Sequence, residues 1–156
     1  MMAQPAFWSL ALVDIPEPDY ADMQIAVLPP HAPVDPAAWA RSLFSLRTMP
    51  RWISAALALR ELLAPLMGVP RAGKDAFRVD RVEGEEALIS ADDAHLDFRV
   101  GVGVDPAAGL LRVVTTVRLK GLRGRLYFLP VRVVHPLVVR AMIRRSQRLL
   151  AGVTTG

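Results

Sequence analysis

HLDFRVGVGVDPAAGLLRVVTTVRLK, residues 95–120, is the stretch whose reading decides the fold. From His95 to Val104 the residues alternate. Leu96, Phe98, Val100, Val102 and Val104 fall on one side, and His95, Asp97, Arg99 and two glycines fall on the other. A period of two is the signature of a strand with one apolar face. Asp105-Pro106-Ala107-Ala108-Gly109 supplies turn chemistry, and Leu110 to Lys120 resumes the strand. So short a connection makes the two strands antiparallel neighbours. Upstream, Phe77 to Val82 and Glu86 to Ser90 flank a turn at Gly84, and Asp92-Asp93 turns the chain into His95. Together they predict a meander of about four strands.

Working outward, Tyr20 to Leu28 alternates as a further strand and stops at Pro29 and Pro30, which cannot donate to a ladder. Asp35-Pro36 then opens a helix that carries Trp39, Leu43 and Phe44 and ends near Ser45. A second helix is predicted from about Pro50. Trp52, Ile53, Ala56, Leu59, Leu62, Leu63 and Leu66 follow helical spacing up to Gly68 and Pro70. Leu122 to Ala151 is apolar and basic in helical rhythm, with Tyr127, Val131, Val134, Val138, Met142 and Leu149 towards one side. Pro130 and Pro136 predict a break, with ordered helix mainly from Leu137 on. The expected architecture is α+β: a curved antiparallel sheet wrapped on a long C-terminal helix, which covers its apolar face. Residues 1–17 read as an N-terminal extension and residues 18–156 as a single domain.

Composition narrows the function classes. At 53% hydrophobic and 22% charged, the 156-residue chain is globular rather than disordered. It has no cysteine, which excludes disulfides, thiolate metal sites and a cysteine nucleophile, and fits a reducing compartment. The apolar run from Ala6 to Val13 lacks a basic start, and no uncharged apolar run approaches the ~20 residues that span a bilayer. A soluble, cytoplasmic protein is expected. The net charge is +4, and from Arg112 onward there are nine arginines and Lys120 with no carboxylate. This basic end suits an anionic lipid surface or an acidic partner, or else forms a solvated helix face. Nucleic acid is not expected, because no groove-reading or base-stacking motif accompanies the charge.

Several short motifs carry a resemblance. They are Asp35-Pro36-Ala37-Ala38-Trp39, Pro50-Arg51-Trp52, the stretch from Asp92 through His95 to Val100, Gly124-Arg125-Leu126-Tyr127 and Pro136-Leu137-Val138-Val139-Arg140. With the order of elements, they make the chain similar to a bacterial family of unknown function, DUF 2867, and more broadly to the START-like helix-grip superfamily. The resemblance runs from about Tyr20 and is most specific around His95 to Arg99. It implies a helix-grip fold and assigns no reaction. Some relatives are fused to a dehydrogenase-like nucleotide-binding domain. This chain has no glycine-rich phosphate loop, so no cofactor is expected.

Candidate chemistry is sparse. His95, Asp97 and Arg99 could supply a general base and an anion clamp. If the valines face inward, however, this row lies on the outer, solvated face, where Asp97 would pair with Arg118 of the next strand. The inner face then offers Phe98 and Thr115, the last helix offers Tyr127 and His135, and Trp39 and Trp52 pack nearby and rim a pocket mouth. These six residues are the candidate ligand-binding set. His31, His95 and His135 lack metal-ligand spacing, so no metal is expected. Two readings of function stand side by side: a binding protein for an apolar small molecule, and a cyclase- or hydrolase-type enzyme whose acid–base groups come from His95, Asp97, Tyr127 or His135.

Overall fold

A computed structural model describes residues 8–45, 51, 78–92 and 94–151. Its elements run α1 (Leu10–Asp14), β1 (Tyr20–Val27), α2 (Pro36–Leu43), β2 (Val79–Glu83), β3 (Glu86–Asp92), β4 (Leu96–Asp105), β5 (Leu110–Leu119) and α3 (Gly121–Leu150). The five strands form one antiparallel sheet in the order β1-β5-β4-β3-β2. The expected α+β arrangement of an open antiparallel sheet with a long C-terminal helix is therefore present. The helix predicted from Pro50, with Trp52, lies outside the described residues apart from Arg51.

The meander follows from its turns. Gly84 and Gly109 adopt φ +57° and +66°, a region that side-chain-bearing residues rarely enter. Asp105 accepts the Ala108 N–H inside the β4–β5 turn. In the ladder Val100 faces Thr115 and Val102 faces Val113, which fixes the face each residue presents. The inner face carries Ala87, Ile89, Val100, Val102, Val104, Leu111 and Val113. Trp39, Ala40 and Leu43 of α2 and Val139, Met142 and Ile143 of α3 cover it. Asp35 caps α2 through the Ala37 N–H at 3.0 Å, and Pro36 takes the first helical position.

The prolines do not break α3, which is one helix from Gly121 to Leu150. Each proline removes one i→i−4 hydrogen bond and crowds the carbonyl four residues back. Those carbonyls belong to Leu126 and Arg132, both at exposed positions where water can take up the lost bond. Phe128, Val139, Met142 and Ile143 meanwhile hold the helix to the body of the domain. By length and composition alone, α3 is also the one described helix long and apolar enough to cross a membrane. Gly124 explains one of the short motifs: a Cβ there would overlap the His95 carbonyl oxygen.

The opposite face of the sheet is covered as well, by α1, which lies within the stretch read as an extension. Leu10 and Ala11 pack on Leu88 and Val114. Glu86, only 1% exposed, anchors the contact. Its Oε1 accepts from Ser9 Oγ at 2.6 Å and from the Leu10 N–H at 2.7 Å, and its Oε2 accepts from Arg112 Nη2 at 3.0 Å. Gly101 and Gly103 make the space. A Cβ at Gly101 would overlap Glu86 Oε1 and lie 2.7 Å from Ser9 Oγ, and one at Gly103 would lie 2.8 Å from Arg112 Nη2.

Arg99 is tied to Asp14 of α1 and to Asp92, and Arg81 also holds Asp14. The Arg81 guanidinium, with help from Arg99, keeps the Asp14 carboxyl below its ordinary range against the opposing effect of burial. The row of Asp97 and Arg99 thus lies opposite the valines, as read from sequence, but Arg99 is covered by α1 rather than solvated. Asp97 pairs with Lys120 at 2.7 Å and not with Arg118, its cross-strand neighbour.

Three outcomes follow for urea unfolding. Gly101→Ala lowers stability by about 1–3 kcal/mol through overpacking, and Glu86→Ala lowers it by about 2 kcal/mol or more by stripping Arg112, Ser9 and the α1 N-terminus of their acceptor. Pro130→Ala restores a helix donor and raises stability, by up to about 3 kcal/mol.

Candidate functional site

Along β1, burial alternates so that Tyr20, Asp22, Gln24 and Ala26 turn inward. The register with β5 sets Asp22 beside Thr115, which itself faces Val100 on β4. The helix α3 crosses this corner of the sheet, and a chain of polar side chains joins the two elements. Arg140 Nε donates to Gln24 Oε1 at 3.1 Å, and Gln24 Nε2 donates to the Asp22 carboxylate at 3.1 and 3.2 Å. His135 Nδ1 lies 3.8 Å from Asp22 Oδ2, beyond hydrogen-bond length. The edge of the Tyr20 ring meets Phe128 at 5.1 Å and His135 at 5.7 Å between centroids.

The electrostatics of this corner are set by burial. The His135 side chain is 14% exposed, and burial pushes its pKa below the ordinary imidazole value, with Asp22 opposing in part. Burial, reinforced by Asp22, likewise pushes the Tyr20 hydroxyl up. His135 Nδ1 is a buried polar atom without a hydrogen-bond partner. Such atoms are uncommon and carry a desolvation cost until something pairs with them. The arrangement offers a neutral imidazole beside a carboxylate and a phenol, at the margin of an apolar sheet face. It can hold or exchange a proton with the polar end of a small molecule.

Of the six residues proposed from sequence, Thr115 lies beside Asp22 in the strand register and His135 lies 3.8 Å from it, so both border this corner. Phe98 is half-buried on the same sheet face and packs against the core. Trp39 is a core residue: it is fully buried and its indole N–H donates to the Pro33 carbonyl at 2.7 Å, which leaves no polar atom for a ligand. Trp52 and the side chain of Tyr127 lie outside the described residues. Asp97 is on the opposite face of the sheet from His135, so these two do not converge.

Tyr20, Asp22 and Gln24 also line this corner, although the sequence does not single them out. Their alternation is visible in the sequence, but only the β1–β5 pairing reveals which side faces α3. Among the described residues, no group of three or more His, Cys, Asp or Glu side chains could hold a metal ion. An open surface depression lined by Arg144, Gln147, Arg148 and Ala151 lies near the far end of α3, away from this corner.

The depressed His135 pKa gives a stability signature. The unfolded chain titrates this histidine near 6.5 and the folded chain does so lower, so below about pH 6.5 the unfolded state binds more protons. The contribution is complete above that pH and is lost as pH falls towards the folded value. Asp14 and Asp92, whose folded values are lowered, add their own loss only as pH falls below about 4. Between pH 7 and 5, the unfolding free energy measured in urea therefore declines, by at most about 1.4 kcal/mol per unit for one site. His135→Asn flattens that decline.

No curated protein and no solved structure gives a significant match to this chain. The profile of a family described as "Protein of unknown function (DUF2867)" matches residues 15–142, from just before β1 through both sides of the corner to Met142 of α3. The chain belongs to the DUF2867 family.

Proposed function

We propose that this protein binds an apolar small molecule carrying one polar group, held between the inner sheet face and α3 in the manner of START-like helix-grip proteins. The observation that carries the reading is His135 Nδ1, buried and unbonded beside Asp22 and Tyr20. A ligand hydroxyl, carbonyl or carboxyl would satisfy it, while the half-buried Phe98 supplies apolar surface on the same sheet face. The cysteine-free composition supports a cytoplasmic setting.

A second reading rests on the same pair: a neutral His135, its basicity partly restored by the nearby Asp22 carboxylate, would act as general base in a cyclase- or hydrolase-type reaction. Under that reading the polar group of the ligand is the reacting group.

Native mass spectrometry of the purified protein, with a thermal-shift screen of apolar acids, alcohols and ketones, tests binding. The expected result is a retained ligand or a compound class that raises Tm, with the shift lost in His135→Phe and reduced in Thr115→Val while both variants keep the parent circular dichroism. A full screen with no retained mass and no shift overturns the proposal. Turnover of a bound compound that disappears in His135→Asn and Asp22→Asn establishes the enzymatic reading over simple binding.

A further inference from the structure

The face of α3 turned away from the sheet bears Leu122, Leu126, Leu129, Val133 and Leu137, spaced four, three, four and four residues apart. That spacing aligns them in one stripe, about 22 Å long at 1.5 Å per residue. All five are strongly exposed, from 54% at Leu129 to 75% at Val133. Isolated exposed leucines are ordinary, but an aligned row of this length marks an interaction surface. Arg123 borders the stripe on one side and Arg125 and Arg132 on the other, and Arg144 continues the row beyond Leu137. The helix carries seven arginines and no carboxylate.

We propose that this stripe docks the domain on an anionic lipid surface, with α3 lying in the plane of the headgroups. An apolar row sinks below the headgroup level while flanking arginines meet lipid phosphates and carboxylates, the pattern of an interfacial helix. Spanning the bilayer is opposed on both counts. The other side of α3 is packed on the sheet through Phe128, Val139 and Met142, and arginines within the apolar segment are costly in hydrocarbon. A second copy of the chain fits less well, because pairing two such stripes would bring arginine rows against each other. The proposal is independent of the ligand reading, since His135 and Asp22 lie on the sheet side of the helix.

Co-sedimentation of the full chain with vesicles tests it. The expected result is pelleting with vesicles containing phosphatidylserine, little with phosphatidylcholine alone, and a decline as salt is added. Leu126→Glu combined with Val133→Glu lowers binding at least tenfold while circular dichroism is unchanged. Arg125→Gln and Arg132→Gln, at exposed positions that leave the core intact, each lower it about fivefold. Absence of pelleting with phosphatidylserine overturns the proposal, as does a Leu126→Glu/Val133→Glu protein that binds like its parent. A dimer in sedimentation velocity that the same double variant dissociates also overturns it, in favour of self-association.

Discussion

A sheet has two faces, and this one is covered on both where it is most apolar. The inner face is closed by α2 and α3, and the outer face by the single turn of α1. The outer closure depends on one carboxylate. Glu86 replaces water for the first free N–H of α1, for the Ser9 hydroxyl and for Arg112 at once, and it fits only because β4 has glycines at 101 and 103. A charge buried this far is tolerable only when its acceptor sites are filled, so the pieces have meaning as a set. Asp14, Arg81, Arg99 and Asp92 extend the same clasp across the surface of the sheet.

The outer face is thus held by a buried carboxylate and a set of ion pairs, and the inner corner by a polar network that leaves His135 Nδ1 without a hydrogen bond. Arg140, Gln24 and Asp22 satisfy one another in sequence, and His135 is the member left over. In one small domain, one polar cluster braces α1 against the sheet, whereas His135 is the buried group suited to a ligand. That contrast separates the conspicuous row of Asp97 and Arg99, which is structural, from the less conspicuous His135.

Strands, turns and the capped start of α2 were legible because each is written locally, in period-two alternation, in glycines at turns and in Asp35-Pro36. The covering helix was also legible, but not its continuity. Proline penalties are local, whereas the sheet packing that overrides them is not. The role of Gly101 and Gly103 was hidden for a related reason. A glycine pair in a strand announces room without saying what fills it, and the occupant, Glu86, comes from a neighbouring strand. Of the residues at the candidate corner, the sequence singles out Thr115 and His135. Tyr20 and Asp22 come from a strand nearly a hundred residues earlier, and nothing local says that it joins the sheet beside β5.

That remote pairing bears on how the chain comes off the ribosome. β1 finds its only described partner strand in β5, at the opposite end of the meander. At roughly 5–20 residues per second, β1 waits on the order of 5–20 s before its ladder partner has been made. Throughout that interval Met23, Ile25 and Val27, which remain exposed even in the finished fold, stand on a strand with no neighbour. Protection of nascent β1 is therefore a task for chaperones or for rapid burial of its other face, and the most vulnerable moment of this protein falls before its last helix exists.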